Sequence, residues 1–96
     1  MYGQVGVTRI TTSANLSTSP CRVFTIHLVP KTDWCFCNVR ELEANGSQGN
    51  IYINHSAAAT GGSTVNFQEG IYFPYGCYVE TMGNVSHISV AWRKEF

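Results

Sequence analysis

Residues 67–81 read FQEGIYFPYGCYVET and hold the densest run of aromatic side chains in the chain. Gly70 and Gly76 are free to adopt a positive φ, while Pro74 fixes its own φ and disfavours a helical conformation at Phe73. A helix therefore cannot run through this stretch. We predict a strand, a corner and a second strand, in which the two glycines and the proline set the direction of the backbone.

Residues 21–29, upstream of this stretch, alternate in the way that a β-strand requires. Phe24, Ile26 and Leu28 fall on one face of this predicted strand, and Val23 falls on the other. Because both faces carry apolar side chains, we expect the strand to lie in the centre of its sheet.

A second strand is predicted at residues 34–42, after a turn at residues 30–33 that contains a proline and an aspartate. The alternation in this strand separates one face with Cys35 and Cys37 from another that begins with Trp34. We expect the cysteine face to point toward the core.

The remaining chain alternates short extended segments with turns rich in glycine, asparagine and serine. We predict a hairpin loop at 43–49, a strand at 50–55, an exposed contact loop at 56–64, a strand at 65–67, a turn at 83–84, a strand at 85–92 and a solvent-exposed charged tail at 93–96. Six to eight short strands with no helical period predict an all-β fold. This is either a single antiparallel β-sandwich or a small jelly-roll-like barrel.

The N-terminal residues 1–20 contain few core-forming side chains. An edge strand fits residues 5–12, and the composition of residues 13–20 predicts a loop. The segment is therefore either an edge strand or an arm that becomes ordered against another subunit, and residues 21–96 form the sandwich or barrel domain.

Composition restricts the function more than any motif does. The 96 residues suit one domain, and six Lys plus Arg balance six Asp plus Glu, so we do not expect nucleic acid as a partner. With only 12% charged residues, the surface suits a protein whose faces lie against neighbours. We find neither a signal peptide nor an apolar stretch of membrane length, so we expect synthesis in a cytoplasm and no membrane association.

The four cysteines Cys21, Cys35, Cys37 and Cys77 are expected to be buried reduced thiols in such a compartment. One disulfide or a bound metal is the alternative, although a Cys-x-Cys pair on a strand lacks the usual geometry of a zinc knuckle.

Other titratable side chains form no recognisable catalytic pattern. His27, His55 and His87 fall on the more polar faces of predicted strands, and the carboxylates are scattered. No nucleophile elbow, phosphate-binding loop or dinucleotide fingerprint occurs. We therefore predict no catalytic residue, no cofactor and no metal site, and a protein that is not an enzyme.

The aromatic side chains in residues 72–78 fit more than one role. They suit packing on the sheet, a protein contact surface, or a platform for carbohydrate or single-stranded nucleic acid, the last of which the neutral charge disfavours. The residues that we predict at an interface are Tyr2, Thr60, Ser63, Tyr72 and Tyr75.

Residues 22–92 resemble small β-proteins encoded in the structural-gene regions of tailed bacteriophages. The resemblance rests on VFTIHLV at 23–29, a glycine-rich middle hairpin, VNFQEGIYFPYGCYV at 65–79 and VSHISVAW at 85–92. Its most specific part is the phrase Gly-Ile-x-Phe-x-x-Gly-x-Tyr-Val followed by a glycine turn and a closing strand. The chain departs from the pattern in its four cysteines and its long N-terminal segment.

The resemblance implies a virion component at the capsid surface. Such proteins include capsid decoration or cement proteins, which bind the outer shell as oligomers, often trimers, and stabilise it by burying surface across several capsomers. The implied partners are the major capsid protein of the same virion and further copies of this chain. The alternative is a tail, fibre or head-surface module that recognises a host glycan through Tyr72, Tyr75 and Tyr78.

Overall fold

The protein, described from a computed structural model at residues 4–59 and 61–95, is built from antiparallel β-strands. The strands are β1 (Gly6–Ile10), β2 (Ala14–Ser17), β3 (Cys21–Leu42), β4 (Gln48–Ala57), β5 (Ser63–Phe73) and β6 (Cys77–Lys94). The predicted all-β fold is confirmed. None of the described residues forms a helix long and apolar enough to cross a membrane.

The two longest strands, β3 and β6, fold back on themselves. β3 has 22 residues, and a straight strand of that length would span about 70 Å. The longest dimension of the molecule is 40 Å, so β3 cannot run straight. The prediction of short strands is wrong for these two elements.

Folding back of β3 and β6 produces two layers. In the first layer, the later part of β6 (residues 85–94) and the part of β3 up to Leu28 lie between the edge strands β1 and β5. In the second layer, the earlier part of β6 (residues 77–83) and the part of β3 from Cys35 onward lie between β2 and β4. The result is a β-sandwich in which both long strands are central in both layers, as in a double-layered jelly roll.

The predicted turn at residues 30–33 is wrong, because these residues lie within β3. Pro30 pairs with Val85 and Cys35 pairs with Gly83, so residues 31–34 lie opposite residue 84 alone. Extra residues on one strand form a bulge, and a bulge bends the strand. The proline and aspartate therefore mark the bend between the layers without ending the strand.

Three other predicted loops differ from the structure. The turn at 83–84 lies inside β6, where Gly83 provides a φ of 76° at the bend. Part of the predicted loop at 13–20 is β2, which pairs with the start of β6 and buries Leu16. β4 and β5 extend into the predicted loop at 56–64. In each case pairing with a neighbouring strand overrides a loop-like local composition.

The predicted strand, corner and strand at residues 67–81 are confirmed. β5 ends at Phe73, residues 74–76 form the corner, and β6 begins at Cys77. Gly70 and Gly76 have φ values of 75° and 97°.

The core lies between the two layers and receives side chains from every strand. It includes Ile10, Leu16, Val23, Ile26, Leu28, Cys35, Cys37, Val39, Ile53, Phe73, Val79, Ile88 and Val90. The prediction that the cysteine face of β3 points inward is confirmed.

Phe24 does not share the core face of Ile26 and Leu28 as predicted. Val23 pairs with Trp92 and Thr25 pairs with Ala91, so Phe24 is an extra residue in β3. Its ring lies 5.1 Å from the guanidinium carbon of Arg93.

The C-terminal residues are held against the start of β3, and the predicted exposed tail at 93–96 is wrong at Glu95. Glu95 is only 6% exposed. Its backbone N–H donates to the carbonyl of Pro20 at 2.9 Å, and its carboxylate accepts from Arg22 Nε at 2.7 Å and from Arg93 Nε at 3.0 Å. The hydrogen bond from Arg22, with a second from Arg93, lowers the pKa of the Glu95 carboxyl.

Glu95→Gln is expected to lower the Tm of the protein in a pH-dependent way. Because the pKa of Glu95 is lower in the folded protein, its carboxylate stabilises the fold above the ordinary carboxyl pKa of about 4.3, and this stabilisation disappears as the pH falls through the folded-state pKa. Thermal melts of wild type and variant between about pH 3 and 7 should therefore converge at the acidic end. A gap that stays constant with pH would contradict this ion-pair account, and Glu69→Gln on the exposed surface is the control.

Candidate functional site

The interface residues predicted from the sequence are spread over the molecule. Tyr2 and Thr60 lie outside the described residues. Ser63 is half-buried, and its carbonyl accepts a hydrogen bond from His55 Nε2 at 3.0 Å. Tyr72 is 44% exposed and lies beside Arg22, whose guanidinium carbon is 5.3 Å from the centre of the ring. Tyr75 is exposed in the corner before β6.

The tyrosines suggested as a glycan platform do not share one surface. Tyr72 precedes the buried Phe73 in β5, so it points away from the core on the outer side of the first layer. Tyr78 lies between the buried Cys77 and Val79, opposite Arg40 in the second layer. The two rings therefore lie on opposite outer faces, and one small ligand cannot contact both.

The second layer instead carries apolar side chains on its outer side, of which Trp34, Ile51 and Met82 are exposed and Phe36 is half-buried. Since Cys35, Cys37 and Val39 point into the core, the alternating Phe36 and Arg40 point outward. We define the outer contact face by Trp34, Phe36, Arg40, Ile51 and Met82.

These five side chains come from three neighbouring strands, and the strand register places them on the same side of the second layer. Phe36 lies directly opposite Met82 on β6, and Arg40 lies opposite Ile51 on β4. Trp34 comes from the bulge in β3, and its ring centre is 5.2 Å from that of Phe36 at an angle of 50°. Trp34 is 54% exposed, and Ile51 and Met82 are also exposed.

A hydrogen-bonded polar row crosses the middle of the outer contact face. Asn54 Nδ2 donates to Asn38 Oδ1 at 2.6 Å, and Asn38 Nδ2 donates to Glu80 Oε1 at 2.9 Å. Arg40 Nε lies 3.4 Å from the same oxygen, and its Nη1 donates to the carbonyl of Gly49 at 3.2 Å. These bonds join three strands, β4, β3 and β6, and hold the polar side chains in place.

The chemistry of the outer contact face suits binding to another macromolecule. Trp, Phe, Met and Arg are enriched in the cores of protein interfaces, and lysine is depleted there. Arg40 and Glu80 form an ion pair, so the face carries little net charge. The alternation of residues 34–42 placed Trp34, Phe36 and Arg40 on one side of a strand, but it gave no information about Ile51 and Met82, which come from other strands.

The cysteines and histidines that were weighed as metal ligands do not form a metal site among the described residues. Within residues 4–59 and 61–95, no three His, Cys, Asp or Glu side chains are placed to hold a metal ion. All four cysteines are buried with free thiols, and burial raises the pKa of Cys37 to about 11. His27 Nδ1 lies 2.6 Å from Thr64 Oγ1, and burial together with nearby Arg9 lowers the pKa of His87.

Two shallow grooves flank Trp92 near the C-terminal end of β6. One, of about 270 Å³, runs along Gly6–Thr8 of β1, and the other, of about 300 Å³, runs along residues 15–19. The indole N–H of Trp92 donates to Thr8 Oγ1 at 2.9 Å, which fixes the ring between them. Alternation within single strands could not predict these grooves, because β1 and β6 are distant along the chain.

No protein-family model matches this chain, and neither does any curated protein.

Proposed function

We propose that this chain is a structural virion protein of a tailed phage, a capsid decoration protein that binds the outer shell through its outer contact face. Its role is to stabilise the shell by buried contact area, without catalysis or a cofactor. The major capsid protein is its partner, the capsid surface is its location, and the host cytoplasm is where it is made. The sequence resemblance supports the virion assignment, and the outer contact face is the observation that supports a docking role.

The outer contact face has the properties that docking requires. Trp34 and Met82 offer apolar area to a partner, while the Asn54–Asn38–Glu80 row keeps the polar groups between strands fixed. Side chains that are already held in place lose less conformational entropy on binding. A rigid, nearly neutral face is therefore suited to a partner surface of matching shape.

Oligomerisation strengthens such attachment. Even a weak contact at one face becomes sufficient when several copies bind at once, because multivalency multiplies the effective affinity by factors of about 10²–10⁴. We propose a homo-oligomer, with a trimer as the favoured state. The small charge content of the chain, 12% of its residues, is consistent with several faces lying against neighbours.

A second candidate function is glycan recognition at the same face. The exposed Trp34 ring can stack on a sugar, and the nearby Asn54 and Glu80 side chains offer groups that bond to hydroxyls. A glycan array with the purified protein tests this candidate. Saturable binding that is lost in Trp34→Ala would favour it over shell binding.

The capsid-binding test compares two variants that differ in which surface they change. Purified protein is mixed with heads of the encoding phage that lack it, and the bound fraction is measured by co-sedimentation. Trp34→Ala is expected to weaken binding by at least about tenfold, because large aromatic residues dominate interface energies. The matched control Tyr75→Ala removes a similarly exposed aromatic ring at the corner and is expected to bind like wild type.

Two outcomes would overturn the proposal. If wild-type protein does not bind the heads, the decoration role fails. If Tyr75→Ala loses binding while Trp34→Ala keeps it, the docking surface lies at the corner of residues 74–76 and not on the outer contact face. Thermal melts of both variants confirm that any loss of binding occurs in folded protein.

A further inference from the structure

Two of the four buried thiols are in contact across the sandwich. Cys21 Sγ and Cys77 Sγ lie 3.8 Å apart, and both residues are fully buried. Cys21 is the first residue of β3 and pairs with Phe73 in the first layer, while Cys77 is the first residue of β6 and pairs with Ser17 in the second. The contact therefore joins the two layers.

The other two cysteines are placed differently. Cys35 and Cys37 lie two positions apart on one face of β3, where the strand repeat separates their Cα atoms by about 6.5–7 Å and keeps their Cβ vectors parallel. Joining them would require the backbone of the central strand to distort. The sulfur atoms of Cys21 and Cys77 already lie 3.8 Å apart, and a disulfide would bring them to about 2.05 Å.

We propose that Cys21 and Cys77 form a disulfide between the two layers when the protein meets a small-molecule disulfide oxidant. One thiolate attacks a sulfur of the oxidant, which forms a mixed disulfide and releases one thiol. The second thiolate then attacks the protein sulfur of the mixed disulfide, which forms the Cys21–Cys77 bond and releases a second thiol. The pair loses two electrons, and its two protons end on the two released thiols.

A hydrogen bond joins the two thiols, and either sulfur atom can be its donor. Whichever cysteine loses its proton first attacks the oxidant, and the other then attacks the mixed disulfide. Because both residues are buried, the oxidant reaches them only when the beginning of β3, next to Pro20, and the corner at 74–76 open locally. Oxidation is therefore expected to be slow.

The bond would lock the sandwich after the protein leaves a reducing cytoplasm. Formation of this disulfide does not depend on the proposed function. A virion protein, however, would meet an oxidising environment on release from the cell. Cys21 and Cys77 are separated by 56 positions in sequence, so a bond between them restricts a large part of the unfolded chain. A Tm higher by at least about 5 °C is expected for the oxidised protein.

The test uses the purified full chain, incubated for hours with oxidised glutathione or with a reducing agent. Mass spectrometry of the folded protein is expected to show the loss of two hydrogens, and a non-reducing peptide map should join the peptides of Cys21 and Cys77. Cys77→Ser should abolish this linkage, and Cys37→Ser should retain it.

The wild-type peptide map decides the question even if a variant fails to fold. Four thiols that remain reduced after oxidation, a linkage that includes Cys35 or Cys37, or an intermolecular disulfide dimer would each overturn the proposal. A linked Cys21–Cys77 pair with an unchanged Tm would contradict the locking role. None of these outcomes depends on whether the protein binds capsids.

Discussion

Gly76→Ala is expected to lower the free energy of unfolding by at least about 3 kcal/mol, a large share of the 5–15 kcal/mol that is typical of small domains. Gly76 has a φ of 97° and is buried in the corner between β5 and β6. A Cβ atom added there would collide with the carbonyl group of Ser17 on β2. Because the obstacle is backbone, relief would require β2 or the corner to move.

Gly46→Ala is the matched control for this prediction. Gly46 has a similar φ of 90°, but a Cβ added there meets no atom within 4 Å. The Gly46→Ala variant therefore measures only the conformational strain of alanine at positive φ, which costs about 1–2 kcal/mol of stability. Urea unfolding of both variants measures the difference, and equal destabilisation would contradict the close approach of the corner to β2.

Phe73→Ala is expected to destabilise the protein by about 3–5 kcal/mol. Among the residues that the structure describes, Phe73 is the largest fully buried side chain, and its ring centre lies 5.2 Å from that of Tyr52 on β4. Because it ends β5 beside the corner, its removal leaves a cavity at the place where the chain passes from one layer to the other. The same urea experiment measures the loss.

Tyr72→Ala provides the control at the adjacent position. Tyr72 points outward and contacts Arg22, so its removal is expected to cost about 1 kcal/mol or less. The structure requires the end of β5 to alternate between core and solvent. Similar losses of stability in the two variants would contradict that alternation.

Local signals in the sequence were sufficient to predict the fold class and the central corner. The positive φ values of Gly70 and Gly76 and the inward cysteine face of β3 follow from steric freedom and from two-residue alternation. The same signals were misleading at residues 30–33 and 83–84, where the chain bends without leaving the sheet. A bulge within a long paired strand has the same local composition as a turn. Only the pairing of the flanking residues with a neighbouring strand distinguishes a bulge from a turn.

The candidate site was less predictable than the fold. The aromatic stretch drew attention to Tyr72 and Tyr75, but the outer contact face combines residues of β3, β4 and β6 that are brought together by register alone. The contact between Cys21 and Cys77 likewise depends on how the layers stack. Periodicity assigns a side chain to a face, but it does not identify which other strands complete that face.

The most direct test of the proposed function is the position of this protein in a density map of the intact particle of the encoding phage. We predict density for the sandwich on the outer surface of the capsid, with Trp34 and Met82 of the outer contact face against the major capsid protein. Density only at the tail or fibre, particles that lack the protein, or an outer contact face that points into solvent would contradict it.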